Sequence, residues 1–165
     1  SLSLPWQPCV AGQHWDWDGV QWQVLHPTAE ERGDGNAASC VLRVQSASGA
    51  AVLLTGDIEA AQEAQLLRSG QRLHADVLLV PHHGSRTSST AAWVAAVAPH
   101  TAVVQAGYRN RFGHPAPVVL HRYAAQGTAL VSTPQCGAVH WRSAQPQQVE
   151  CERNRHRHYW SHALK

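Results

Sequence analysis

The stretch Asp76-Val-Leu-Leu-Val-Pro-His-His-Gly-Ser85 constrains this chain more than any other part of it. Val77 to Val80 is a continuous apolar run with no polar face, the signature of a strand covered on both sides. Such strands are parallel and are joined by helical crossovers. Thr101-Ala-Val-Val-Gln105 repeats the pattern. Between the two runs, Ser88 to Ala98 reads as a helix with a Ser or Thr cap, stopped before Pro99. Upstream, Glu59 to Arg68 is rich in Ala, Gln, Glu and Leu, with Gly70 as its C-terminal cap. Downstream, Pro115 is expected to open a helix that Gly127 closes, and Ala129–Ser132 and Gly137–Arg142 to finish as strands.

The first third has a different rhythm. Val20, Trp22 and Val24 alternate with Gln21 and Gln23, the period of a half-buried strand, which His26-Pro27 ends. Residues 1–19 are rich in Pro and Trp, and Trp15-Asp-Trp-Asp-Gly19 reads as a turn before that strand. Residues 28–36 form a polar surface loop. Cys40–Val44 and Ala51–Leu54, linked through Ser48-Gly49, read as a hairpin. Strands first, then helices alternating with short strands, make an α/β layered architecture with helices packed on a sheet. One compact domain is expected over residues 1–145, followed by a basic, His-rich tail at 146–165.

A net charge of only +2 makes no case for a nucleic-acid partner by itself. The basic residues are uneven, however. Arg142, Arg153, Arg155, Arg157 and Lys165 crowd the C-terminus, and Arg109 with Arg111 forms a second cluster. A solvated end is the plain reading of the tail, with phosphate contact or a His-rich metal binder around His156 and His158 as alternatives. No apolar run reaches the roughly 20 residues of a membrane-spanning helix. Nothing resembles a signal peptide, there is no Met, and the opening Ser-Leu-Ser-Leu-Pro is expected of a cut from a longer protein; a mature exported domain would look similar. Cys9, Cys40, Cys136 and Cys151 are spaced unlike a structural zinc site. They allow three pairings or none, and buried thiols fit as well as disulfides.

Three loops place polar groups where strands end, the usual place for function in α/β folds. Asp57 follows Leu53-Leu-Thr-Gly56, where a carboxylate can bind a metal or cap the helix beginning near Glu59. His82 and His83 follow the buried strand, beside Gly84 and Ser85; imidazole suits zinc, manganese or iron, and the plain alternative is a polar turn in a His-rich chain. His114, before Pro115, either packs near a helix cap or reaches a pocket, there to stabilise an anionic substrate or act as acid or base. Converging on one rim, these loops suit metal-assisted hydrolysis of a phosphodiester.

Taken together, Asn36-x-x-Ser39-Cys-Val-Leu-Arg, Leu53-Leu-Thr-Gly-Asp57-Ile-Glu, Asp76-Val-Leu-Leu-Val-Pro-His-His-Gly-Ser-Arg-Thr-Ser-Ser and Gly113-His-Pro115 resemble the metallo-β-lactamase-like domain of the ComEC family, membrane channels for DNA uptake in natural competence. The resemblance runs from about Cys9 to Trp141. It implies the C-terminal half of a metallo-β-lactamase-type αββα sandwich. Asp57 and His83 are then metal ligands, Asp57 bridging two ions, while His82 and His114 are the catalytic candidates. The implied cofactor is a divalent metal, zinc or manganese, in a two-metal site of the intact domain, with no small-molecule cofactor. The implied partners are DNA, single-stranded or the strand being degraded, and the rest of the parent channel. The parent would lie in the cytoplasmic membrane with this domain on its periplasmic face. That location favours paired cysteines, as Cys9–Cys40 and Cys136–Cys151.

Two departures shape the expectation for this chain. The family's His-x-[His/Asp]-x-Asp-His loop is absent, and in the family it lies upstream of the first residue here. Ser39 stands near where many relatives carry another metal-binding His. The fragment alone is therefore expected to bind metal weakly, to be inactive, and to expose an apolar sheet edge that promotes association. A catalytically dead module that binds DNA or props the channel is the competing reading. A hydrolase of small phosphodiesters is a third.

Overall fold

The computed structural model describes residues 7–31 and 35–156. The opening Ser-Leu-Ser-Leu-Pro, residues 32–34 of the polar loop, and Arg157, His158 and Lys165 of the tail lie outside the described residues. Seven strands form one sheet in the order of the chain: β1 (His14–Trp17), β2 (Val20–His26), β3 (Val41–Gln45), β4 (Ala51–Leu54), β5 (Val77–Leu79), β6 (Thr101–Val104) and β7 (Ala129–Ser132). β1 to β4 pair antiparallel, and β4 to β7 pair parallel. The parallel steps are made through α1 (Ala60–Arg68), α2 (Ala91–Val97) and α3 (Pro117–Ala125). The chain is thus a mixed α/β fold.

Sequential strand order has a geometric consequence. Parallel crossovers are right-handed, so a sheet that grows in one direction receives all its crossover helices on one face. The core has that composition. Ala51, Leu53, Leu78, Val80, Ala102 and Val104 from the strands meet Leu66 of α1, Trp93, Val94 and Val97 of α2, and Val119 and Tyr123 of α3. The opposite face shows Val52, Leu54, Val77, Leu79 and Val103, which border a cavity of about 390 Å³ together with Val139 and Trp141. Those two residues belong to β8 (Val139–Trp141), which pairs with β9 (Val149–Cys151) and follows the short α4 (Thr133–Cys136). Apolar exposure also occurs at the β1 edge, where Trp15 and Trp17 are exposed.

Several elements differ from the sequence expectation. Trp15–Trp17 is not a turn but half of a hairpin closed at Asp18-Gly19, both at positive φ, with Trp15 stacked on Trp22 at 5.8 Å. An edge strand with polar alternate residues carries little burial signal, and the two aspartates and Gly19 look like turn chemistry throughout. The third helix opens at Pro117 rather than Pro115, because Pro115 instead packs against Gly84. The α2 helix starts later than expected, with the Thr90 side chain accepting from the Trp93 amide.

Beyond residue 145 the chain continues into β9 and α5 (Glu152–Arg155), and disulfides join Cys9 to Cys40 and Cys136 to Cys151. Glu150 lies 3.1 Å from Arg142 and 3.6 Å from Arg155, so part of the basic cluster is charge-compensated within the fold.

Candidate functional site

Because β4, β5 and β6 are parallel neighbours, the loops leaving their C-terminal ends emerge on one rim of the sheet. Those loops carry Asp57, His82 with His83, and Gln105 to His114. Gly56 turns the first loop at φ +56, and a Cβ there would lie 2.9 Å from the Ser39 Cβ. Ser39 in turn accepts the Asp57 amide on its hydroxyl at 3.0 Å. Asp57 is thereby held at the rim and does not cap α1. The residue at the helix cap is Glu59, whose amide donates to the Gln62 side chain.

The His83 Nε2 lies 3.6 Å from Asp57 Oδ1, and both side chains are partly exposed. Its other ring nitrogen, Nδ1, sits 2.7 Å from the Gln105 carbonyl. A carbonyl only accepts, so Nδ1 carries the proton and donates it. With Nδ1 committed to the carbonyl, Nε2 is the nitrogen turned toward the carboxylate oxygen, and a cation between them would take a lone pair from each. Two donors on one tetrahedral zinc-like ion, each about 2.0–2.2 Å from it, stand roughly 3.4 Å apart. The Gln105 carbonyl is the kind of outer partner that fixes a metal-binding imidazole. The donor pair thus fits a metal as two of its ligands. Among the described residues, no group of three or more His, Cys, Asp or Glu side chains is arranged to hold one.

His82 turns elsewhere. Its Nδ1 is 3.2 Å from Glu59 Oε1, near enough for an ion pair but out of line for a hydrogen bond, and its Nε2 faces the Asn36 amide at 3.4 Å. Glu59 is itself bound by the Thr87 hydroxyl at 3.0 Å. His82 and His83 are both left-handed, at φ 49 and 55. Consecutive non-glycine residues in that region store strain of about 1–3 kcal/mol each and cluster at functional sites.

The third loop is locked to the second through Gly84. A Cβ on Gly84, at φ +82, would lie 2.6 Å from the Pro115 Cβ. His114 is placed by Asn110, whose side chain accepts the His114 amide at 3.0 Å and donates to its carbonyl at 2.6 Å. The His114 ring lies 6.0 Å from that of His82, and its Nδ1 is buried without a hydrogen-bond partner. Burial holds the His114 imidazole below its usual pKa, and His82, His83 and Arg86 push the same way. His83 and His114 both line a cavity of about 500 Å³, together with Gln105, Asn110, Phe112 and Thr133. That volume lies within the range of small-molecule sites.

The structure thus brings Asp57 to His83, sets His82 against Glu59, and puts His114 on the cavity wall with His83. Glu59, Gln105 and Asn110 are the positioning groups that sequence reasoning missed, whereas Ser39 stood out only as a departure from the family pattern and not as the acceptor of the Asp57 amide. Glu59 carried a signal, as an acidic residue shortly after Gly-Asp. Gln105 contributes a backbone carbonyl, which no side-chain motif can announce.

Over 130 residues, 78% of its length, the chain is 43% identical to Competence protein ComA of Neisseria gonorrhoeae. It is 35% identical over 131 residues to Recombination protein 2 of Haemophilus influenzae, and 33% identical over 123 residues to ComE operon protein 3 of Bacillus subtilis. These alignments cover 79% and 74% of the chain. The chain spans only 19%, 16% and 16% of the three relatives' own lengths. No family model matches it.

Proposed function

We propose that this relative of competence proteins contributes part of a metal-dependent phosphodiesterase site that acts on DNA during uptake. The single observation that carries the reading is the Asp57–His83 pair at 3.6 Å, with His83 oriented by the Gln105 carbonyl. A divalent ion such as manganese or zinc, when bound, would supply positive charge against the phosphate and acidify a water. Asp57 and His83 are the residues that would hold it, with further donors from outside the described residues. In this reading Asp57 would also help to hold a second ion.

The protein's own groups have separable tasks. Gln105 engages His83 Nδ1 and so leaves Nε2 as the nitrogen that would hold the ion. Glu59 holds His82 beside the pair without displacing His83. His114, on the cavity wall with its pKa lowered by burial, would hydrogen-bond a substrate oxygen or accept a proton as a base. The second apolar sheet face, which borders a cavity with Val139 and Trp141 and lies opposite the crossover helices, suits one half of an αββα sandwich of the metallo-β-lactamase type. Two disulfides suit an oxidising compartment, here the outer face of a cytoplasmic membrane that the parent channel crosses. No helix among the described residues is long and apolar enough to cross a membrane, so in this reading the spanning segments belong to other parts of the parent.

A second reading, a module that binds DNA or supports the channel without catalysis, draws on Ser39 at the rim and on the lack of a third ligand among the described residues. A manganese-supported nuclease assay on the longer protein separates the two. Catalysis requires that Asp57→Ala and His83→Ala each lower the rate by at least two orders of magnitude. Variants as fast as the parent would remove the site assignment, and a parent without metal-stimulated cleavage would favour the scaffold.

A further inference from the structure

The loop between β6 and α3 carries Tyr108-Arg-Asn-Arg-Phe112, in which two aromatic rings flank two guanidinium groups. Tyr108 and Phe112 are among the most exposed large apolar side chains of the fold, at 58% and 67%. Arg109 lies 5.2 Å over the Tyr108 ring, and Arg111 lies 4.9 Å over the Phe112 ring. Phe112 also stacks on His114, with centroids 5.9 Å apart and planes 18° from parallel. Asn110 braces the loop through Gly107 and His114, so the rings are presented by an ordered turn. Phe112 and His114 share the wall of the cavity that His83 enters.

Exposed rings of this size are costly to leave in water, and among the described residues it is their own loop neighbours, Arg109, Arg111 and His114, that lie against them. Their chemistry offers a flat apolar surface flanked by cations that can swing outward. Unpaired bases stack on such rings in any sequence, while arginines take the phosphates between them. A duplex gains nothing from the rings, because its base faces are already stacked.

We propose that Tyr108, Arg109, Arg111 and Phe112 form a stacking platform for single-stranded nucleic acid that leads a strand into the cavity beside His83. The inference rests on the phosphodiesterase reading for its direction, since the platform names the form of substrate. An acidic or membrane partner would use the arginines as well. The shared wall of Phe112, His114 and His83 favours a strand, because it connects the platform to the site where a phosphodiester would react.

The test is binding alone. Fluorescence anisotropy of an end-labelled oligodeoxynucleotide, single-stranded or annealed, is followed with the intact chain in chelator at several salt concentrations. The parent is expected to bind the single strand more tightly than the duplex. Phe112→Ala should weaken single-strand binding by about 5- to 150-fold, the loss of one stacked base, and leave duplex binding unchanged. Phe112→Trp should retain it. Replacing Arg109 and Arg111 together by Gln should flatten the slope of log affinity against log salt by about 1.4, at about 0.7 per phosphate contact. Since Phe112 is largely exposed, none of these changes threatens the fold.

No measurable single-strand binding by the parent, or equal binding by parent and Phe112→Ala, overturns the platform. So does binding of anionic lipid vesicles, in place of the oligonucleotide, with the same Phe112 dependence. Cleavage by the longer protein that needs Asp57 but ignores Phe112 would sink the platform and leave the phosphodiesterase reading. Single-strand binding that needs Phe112, in a protein whose cleavage ignores Asp57, would do the reverse.

Discussion

Asp57 and His83 face each other across 3.6 Å although each comes from the loop after a different strand. Parallel pairing of β4 with β5 sends both loops to one rim, and Ser39 and Gln105 then fix the two side chains. The pair is therefore a product of topology and of two outer contacts. Perturbing those supports should move the pair without touching it.

Gly84 is the most sensitive of the supports. Alanine there must adopt a left-handed conformation and meet the Pro115 side chain at 2.6 Å. Gly84→Ala should lose at least about 1–3 kcal/mol in urea unfolding, from the backbone alone. An unchanged midpoint would mean that the His114 loop does not pack on the histidine loop.

Glu63 supplies a separate pH dependence. It is fully buried, accepts the amides of Ser89 and Thr90, and lies near Arg122 and Tyr123. Burial, the largest influence, raises its pKa above the ordinary 4.5, against the opposing hydrogen bonds. The folded state then holds its proton to higher pH than the unfolded state does. Stability owed to this group is full below about 4.5 and is lost as pH rises through the folded value. The stability of the parent relative to Glu63→Gln should therefore fall as pH increases over that window. A relative stability that climbs with pH would show that the two amides outweigh burial.

The disulfides make a separate prediction. Loop closure gives about 3 kcal/mol for the 15-residue span of Cys136–Cys151 and about 4 kcal/mol for the 31-residue span of Cys9–Cys40. Calorimetry under a strong reductant should show a lower Tm, by about 2–4 °C for each kcal/mol lost. A Tm that stays fixed after full reduction would mean that neither bridge constrains the unfolded chain.

What the sequence discloses and what it hides divide along physical lines. Val77–Val80 and Thr101–Val104 announce themselves because a strand covered on both faces reads as a nearly continuous apolar run. The Cys pairing, implied by family resemblance, agrees with the bridges in the structure. Trp15–Trp17 stays hidden because an exposed edge strand has no burial to pattern it. Pro115 and Pro117 are equally good helix openers, and only the packing of Pro115 on Gly84 decides between them. At the rim, the motif residues are visible as letters, yet the orientation of His83 depends on a backbone carbonyl from the next strand. His82, next to His83 in sequence, turns to Glu59 instead because both backbones are left-handed. Adjacency in sequence does not survive into the geometry.

The central claim is that Asp57 and His83 form a joint metal-binding pair, and manganese broadening of imidazole resonances tests it most directly. Long-range ¹H–¹⁵N spectra of the chain would be recorded while manganese is added from a low, substoichiometric level. The His83 resonances should broaden first, ahead of exposed histidines such as His14 and His156, and the preference should vanish in Asp57→Ala. Broadening that spreads evenly over all histidines, or that persists at His83 without Asp57, would contradict the pair.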